Sequence, residues 1–232
     1  MGEPAAAVLV HGLWHDGRCW EAVGAELDRR GLTWVAAELP LTDLAADTAA
    51  AGAAIDAVGG PVVLVGHSYG GAVVTGAGTH PLVRELVYVA AFQLDDGESV
   101  SRAVPGEEFP PTRLGDALRL DGARVALDPA LVGELLHHDV APEIAEQAAG
   151  HLRPVDRSVF RGVPEQIAWR TVPSTYVVCT QDRVVHPDLQ RAMARRATRA
   201  VEWACGHVPL LSRPDELADL VAERARTAAS SS

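Results

Sequence analysis

The run Pro61-Val62-Val63-Leu64-Val65 leads into Gly66-His67-Ser68-Tyr69-Gly70-Gly71 and then Ala72-Val73-Val74, and this stretch decides how the rest of the chain is read. An apolar run bounded by glycine marks a strand buried on both faces, and small residues after it suit a helix packed closely against that strand. Between them, G-x-S-x-G places Ser68 on a sharp strand-to-helix turn, which lifts the hydroxyl clear of the sheet. The flanking glycines leave room for the tight backbone. The pentapeptide alone is common by chance. The strand before it, the helix after it and a histidine near the C-terminus give it weight.

Working outward, short apolar runs alternate with longer Ala-rich amphipathic segments. Strands are predicted over 5–10, 33–37, 61–65, 85–91, 174–180 and 200–204. Helices are predicted over 18–30, 42–58, 70–79, 188–197 and 214–226. Continuous rather than alternating apolar strands, each followed by a helix, give an α/β fold with a mostly parallel, doubly wound sheet. The rhythm breaks between 92 and 172, where proline, glycine and charged clusters separate segments of helical periodicity (129–137 and 143–152). A structureless connection of that length is uncommon. The expectation is therefore a single domain over 1–232, with 92–172 inserted as a helical cap above the carboxyl edge of the sheet.

Composition narrows the chemistry. The chain has 232 residues and a formal net charge of -11, so no nucleic-acid or anionic-membrane partner is expected. It contains no lysine, all 20 Lys+Arg positions being arginine, which excludes lysine Schiff-base chemistry and a P-loop lysine. The 3 cysteines (Cys19, Cys179, Cys205) are far apart and form no C-x-x-C pair. Neither zinc nor a disulfide framework is expected, and no cofactor motif is present. The first residues show no positively charged leader and no apolar run nears membrane-spanning length, so a soluble cytoplasmic protein is the expectation. A homodimer is compatible with the sequence.

A serine hydroxyl is a poor nucleophile unless a histidine takes its proton and a carboxylate orients that histidine. On this architecture the chain order is Ser, acid, His. Tyr176-Val177-Val178-Cys179 runs into Thr180-Gln181-Asp182, and Val201-Glu202-Trp203-Ala204 runs into Cys205-Gly206-His207. Asp182 and His207 thus fall at strand C-terminal ends, where catalytic groups of open α/β sheets gather. Asp95, just past the 85–91 strand, is the main rival for the acid, and Asp96 a weaker one. His80, His137, His138, His151 and His186 fit surface or pocket-lining positions. His67 is expected to point away from the nucleophile, and His11 and His15 to shape the pocket from the first loop. The oxyanion needs two backbone donors. The N–H of Tyr69, at the start of its helix, is one candidate, and that of Leu13, in His11-Gly12-Leu13-Trp14, is the other.

The opening His11-Gly12-Leu13-Trp14-His15-Asp16-Gly17-Arg18-Cys19-Trp20, the elbow Gly66–Gly71, Thr180-Gln181-Asp182 and Gly206-His207 together resemble the α/β-hydrolase superfamily, and within it the branch of methylesterases, hydroxynitrile lyases and bacterial carboxylesterases. The likeness covers both ends of the sheet, while the cap matches loosely. It implies the α/β-hydrolase fold, with Ser68, Asp182 and His207 as the triad and Leu13 as an oxyanion donor. Lyases of that branch carry threonine at the position of Gly12 and lysine directly after the histidine, where this chain has Val208. Esterase chemistry is therefore expected, without cofactor or metal, on a small to medium, mainly apolar ester, the cap supplying Leu and Val with few aromatics (Phe109, Phe160, Trp169). Arg102, Arg113 and Arg119 suit either a substrate carboxylate or a solvated cap face. Two other readings stay open: a lyase, cyclase or acyl-transfer step run by the same triad, and a non-catalytic ligand-binding protein on this scaffold.

Overall fold

The computed structural model describes residues 5–104 and 106–230. Its centre is a six-stranded, wholly parallel sheet. The strands are β1 (Ala6–Val10), β2 (Trp34–Ala37), β3 (Val62–His67), β4 (Val83–Val89), β8 (Ser174–Cys179) and β9 (Arg199–Trp203), in the spatial order β2-β1-β3-β4-β8-β9. Every residue of β1, β3 and β8 is buried, which is why these runs are apolar without alternation. The edge strands behave differently. β9 is mostly exposed, and its Arg199 and Glu202 face water.

Helices cover both faces. α1 (Glu21–Arg29) packs with the last helix, α9 (Pro214–Ser230), on one side. α2 (Leu44–Val58) packs with α3 (Gly70–Ala77) on the other. Two apolar clusters result, one on each face, since successive strand residues point to opposite sides: Val62 and Leu64 enter one, Val63 and Val65 the other. Chain direction across the sheet reverses between β1 and β3. The loops after these two strands therefore open a crevice at the carboxyl edge, where such sheets bind ligands.

Between β4 and β8 the chain leaves the sheet and covers that edge. It contains α4 (Leu114–Ala117), α5 (Pro129–Leu135) and α6 (Pro142–Ala149), and also a three-stranded antiparallel sheet of β5 (Leu118–Asp121), β6 (Arg124–Leu127) and β7 (Val155–Asp156). The segment expected to be a helical cap is thus mixed. Its strands are short and only partly buried, so they carry no continuous apolar signal. The legible cue was Asp121-Gly122, a hairpin dipeptide with Gly122 at φ +58, joining Asp121 to its cross-strand partner Arg124. Hydrogen bonds tie this segment down. Trp14 Nε1–H donates to the Val125 carbonyl (3.1 Å), and Arg153 donates to the carbonyls of Trp14 (2.8 Å, backbone N–H) and Leu39 (2.7 Å, guanidinium). The remaining helices, α7 (Pro187–Ala194) and α8 (Pro209–Ser212), follow β8 and β9. No helix among the described residues is long and apolar enough to cross a membrane.

Candidate active site

Ser68 stands where β3 turns into α3, with φ +53. This left-handed conformation is unfavourable for a residue with a Cβ, and it persists because the surroundings over-determine it. The Ser68 N–H donates to Val89 O (3.1 Å), and the Ser68 carbonyl accepts from Gly71 N–H and Phe92 N–H (3.0 Å each). Glycine is required on both sides of the corner. A Cβ on Gly66 would lie 2.6 Å from Gly70 O, and one on Gly70 would lie 2.5 Å from Val10 O. The N–H groups of Leu13 and Tyr69 take no part in the hydrogen bonds that hold the corner.

Asp182 and His207 come together on neighbouring loops, as the pairing of Cys179 with Trp203 in β8 and β9 dictates. His207 Nδ1 lies 2.7 Å from Asp182 Oδ2, and both side chains are buried. The second oxygen of Asp182 accepts from Val184 N–H (2.7 Å) and Val185 N–H (3.0 Å). Gln190, on the helix that follows, donates to Asp182 Oδ2 (2.7 Å) and to Val185 O (2.8 Å), and its Oε1 accepts from Cys179 N–H (2.9 Å). Four donors therefore hold the carboxylate with one oxygen on the imidazole. Gln190 was missed in the sequence. Its only signal was a polar residue on the apolar side of an amphipathic helix eight positions after the acid.

Asp95, the rival acid, pairs instead with Arg170, and Asp96 is exposed. Among the other histidines, His80 pairs with Asp56, and His186 accepts from Asp188 N–H at the start of α7. His67 is no bystander. Its Nε2–H donates to the His207 carbonyl (2.8 Å), and the two rings lie 4.8 Å apart. Burial, then His207, pushes His67 well below its ordinary pKa, so it holds the His207 backbone as a neutral ring. His11 donates from Nδ1 to Gly12 O (2.9 Å) and accepts Leu39 N–H at Nε2 (3.1 Å), which pins the first loop. Arg113 pairs with Asp116 and Glu134, and Arg119 with Asp128, on exposed surface of the cap.

Two further contacts shape the site. Tyr69 OH donates to buried Asp47 (2.6 Å), whose other oxygen accepts Leu41 N–H (2.7 Å). Asp139, in the cap, accepts from Gly206 N–H (2.6 Å) and Ser212 OH (3.1 Å), which ties the loop carrying His207 to the cap. No group of three or more His, Cys, Asp or Glu side chains among the described residues is disposed to hold a metal ion.

With this geometry in hand, the comparisons with known proteins agree on the family. The sequence model of the "Alpha/beta hydrolase family" matches residues 7–220. The chain belongs to the alpha/beta hydrolase family. One relative of this hydrolase is "Alpha/beta hydrolase nvfD" of Aspergillus novofumigatus, 32% identical over 171 residues, covering 68% of this chain and 67% of that protein. Another is "Methylesterase 17" of Arabidopsis thaliana, 25% identical over 260 residues, covering 96% and 92%. Among solved structures, a pyrethroid hydrolase from Sphingobium faniae superposes with a TM-score of 0.84 at 24% identity, covering 96% and 97% of the two chains. The last likeness speaks to the fold alone. Methylesterase 17 bears the name of one group in the branch that the motifs resemble.

Proposed function

We propose that this hydrolase cleaves a carboxylic ester of a small to medium, mainly apolar substrate through an acyl-enzyme, with Ser68, His207 and Asp182 as its triad. The observation that carries the reading is the buried Asp182–His207 hydrogen bond on the loops beside the left-handed Ser68 elbow. Ser68 Oγ attacks the ester carbonyl while His207 takes its proton. The tetrahedral oxyanion is met by the N–H groups of Leu13 and Tyr69. His207 then protonates the departing alcohol and activates the water that releases the acid, while Asp182 keeps Nδ1 protonated and stabilises the imidazolium. Supporting ester hydrolysis over cyanohydrin cleavage, Val208 after the base is fully buried in the apolar cluster, so a cation there would be desolvated. In this reading the chain is one domain whose inserted cap closes the site, and it acts in the cytoplasm on small molecules.

A sulfonyl fluoride or fluorophosphonate tests the assignment. One equivalent should attach to Ser68 by mass spectrometry and abolish turnover of p-nitrophenyl butyrate. Attachment at a different serine, or undiminished turnover in Ser68→Ala, would remove the mechanism.

A further inference from the structure

The loop from His11 to Asp16 lies directly on the nucleophile, since a Cβ on Gly12 would come 3.0 Å from Ser68 Cβ. The next residue, Leu13, has an N–H that no acceptor among the described residues takes. That loop is not relaxed. Trp14 stands at φ +64, a left-handed conformation that is costly for a bulky residue and persists only where the surroundings hold it. Two hydrogen bonds among the described residues hold Trp14, and both come from the cap. Its indole N–H donates to the Val125 carbonyl in β6 (3.1 Å), and its own carbonyl accepts from the Arg153 N–H (2.8 Å).

Arg153 does more than close that turn. Its Nε–H donates to the His15 carbonyl (3.2 Å) and its Nη2–H to the Leu39 carbonyl (2.7 Å). Leu39 in turn gives its N–H to His11 Nε2 (3.1 Å), at the other end of the same loop. One half-buried arginine thus grips the chain on both sides of Gly12-Leu13, directly at Trp14 and His15 and through Leu39 at His11. The backbone of Arg153 is itself restrained. Pro154 biases the residue before it toward extended geometry. Val155 pairs with Val125 in β6, and Asp156 N–H donates to the Leu41 carbonyl (2.9 Å). The planar guanidinium, with its donors in a fixed fork, suits such a clamp.

We infer that Arg153 is a positioning residue of the oxyanion hole. From the cap it clamps the carbonyls of Trp14, His15 and Leu39, and so keeps Trp14 in its left-handed turn and the preceding Leu13 N–H aimed at the oxyanion formed on Ser68. The cap thereby completes the hole, which the α/β core alone leaves loose. This rests on the serine-hydrolase reading and deepens it. A donor stabilises developing charge most when it is already in place before the reaction. Arg153 bonds to carbonyls of the loop rather than to reacting atoms, so its effect falls on the transition state and not on the ground-state ester.

The test measures kcat and KM on p-nitrophenyl butyrate and Ki for 1,1,1-trifluoropentan-2-one, a ketone with the same propyl chain whose adduct with Ser68 sets an anionic oxygen in the hole. Active-site titration with a fluorophosphonate normalises each rate to folded enzyme. Arg153→Met keeps the stem and the backbone bond and removes both guanidinium bonds. Its kcat should fall about tenfold or more, short of the roughly 10²–10³-fold lost when an oxyanion donor is removed outright, with KM within about twofold. Ki should rise by the factor that kcat/KM loses, a correspondence that a purely structural residue does not produce. Arg153→Lys should show a smaller loss of the same kind. The inference is overturned if Arg153→Met lowers only Tm, if KM rises while kcat is kept (an arginine that binds substrate), or if kcat falls without a matching rise in Ki. Where Arg153→Met does not fold, Arg153→Lys decides alone. One ammonium cannot occupy the positions of Nε and Nη2 together, so parallel losses in kcat and ketone affinity support the inference and wild-type values overturn it. Ser68→Ala separates this outcome from failure of the parent reading. Turnover that survives Ser68→Ala removes the serine mechanism, whereas turnover lost in Ser68→Ala and untouched in the Arg153 variants removes the positioning role alone.

Discussion

Replacing Gln190 with leucine isolates the part of the site that orients the acid without touching a reacting atom. The amide makes three hydrogen bonds, to Asp182 Oδ2, to the Val185 carbonyl and from the Cys179 N–H, and the residue is completely buried. Leucine removes all three and strands the Cys179 N–H and the Val185 carbonyl. Each costs about 1–3 kcal/mol, partly offset by the apolar side chain. A net loss of roughly 2–4 kcal/mol follows, which for a chain of this size lowers Tm by about 5–15 °C. Catalysis should suffer less than stability suggests. Asp182 keeps the Val184 and Val185 N–H groups and His207, so only the aim of one carboxylate oxygen is loosened. We expect kcat to fall about tenfold, against about 10⁴-fold for Asp182→Asn, where the amide favours the wrong imidazole tautomer. Thermal unfolding and initial rates on p-nitrophenyl butyrate, below the variant's melting range, supply both numbers. A loss of activity as deep as that of Asp182→Asn would refute the reasoning, and so would an unchanged Tm.

Ser68→Ala and His207→Ala should each lower kcat by about 10⁴-fold or more, with the double variant scarcely worse, since the pair acts as a unit; additive losses in kcat would contradict this. Asp95→Asn should leave kcat nearly unchanged, because Asp95 pairs with Arg170 and not with the base, and steady-state rates beside Asp182→Asn check the ranking. Gly12→Ala places a Cβ 3.0 Å from Ser68 Cβ and 3.1 Å from His67 Nδ1. It should cost about 1–3 kcal/mol of stability and also depress kcat, and the same contact sets Gly12→Thr against this packing; wild-type values of Tm and kcat would count against it. Burial depresses His11 to about 4 and His15 to about 3 in the folded state, so the stability they contribute is fully present above pH 6.5 and is lost as pH falls toward those values. Each imidazole contributes a slope of about 1.4 kcal/mol per pH unit. Denaturant titrations between pH 6.5 and 5 should show that slope reduced by this amount in His15→Asn, and an unchanged slope would mean that His15 is not buried neutral.

How far the chain explains itself depends on the range of the forces involved. Strand–helix alternation, the Ser68 corner and the order serine, aspartate, histidine on strand ends were all legible, because each is written in neighbouring residues. Continuous apolar runs make two-faced strands, glycines at 66 and 70 admit the left-handed serine, and a strand's end determines where the next residues emerge. The small sheet in the cap was not read, since strands that are short and half-exposed leave no apolar run and only Asp121-Gly122 announced the turn. Through-space contacts decided the rest. Whether Asp95 or Asp182 meets the imidazole depends on which carboxylate the fold brings to 2.7 Å. The grip of Gln190 on the acid, of His67 on the carbonyl of the base 140 positions away, and of Asp139 on Gly206 had no local signature. Local propensity acts over a few residues and can be read along the chain, whereas hydrogen-bond partners and the burial that sets a histidine's charge exist only once distant segments have packed together.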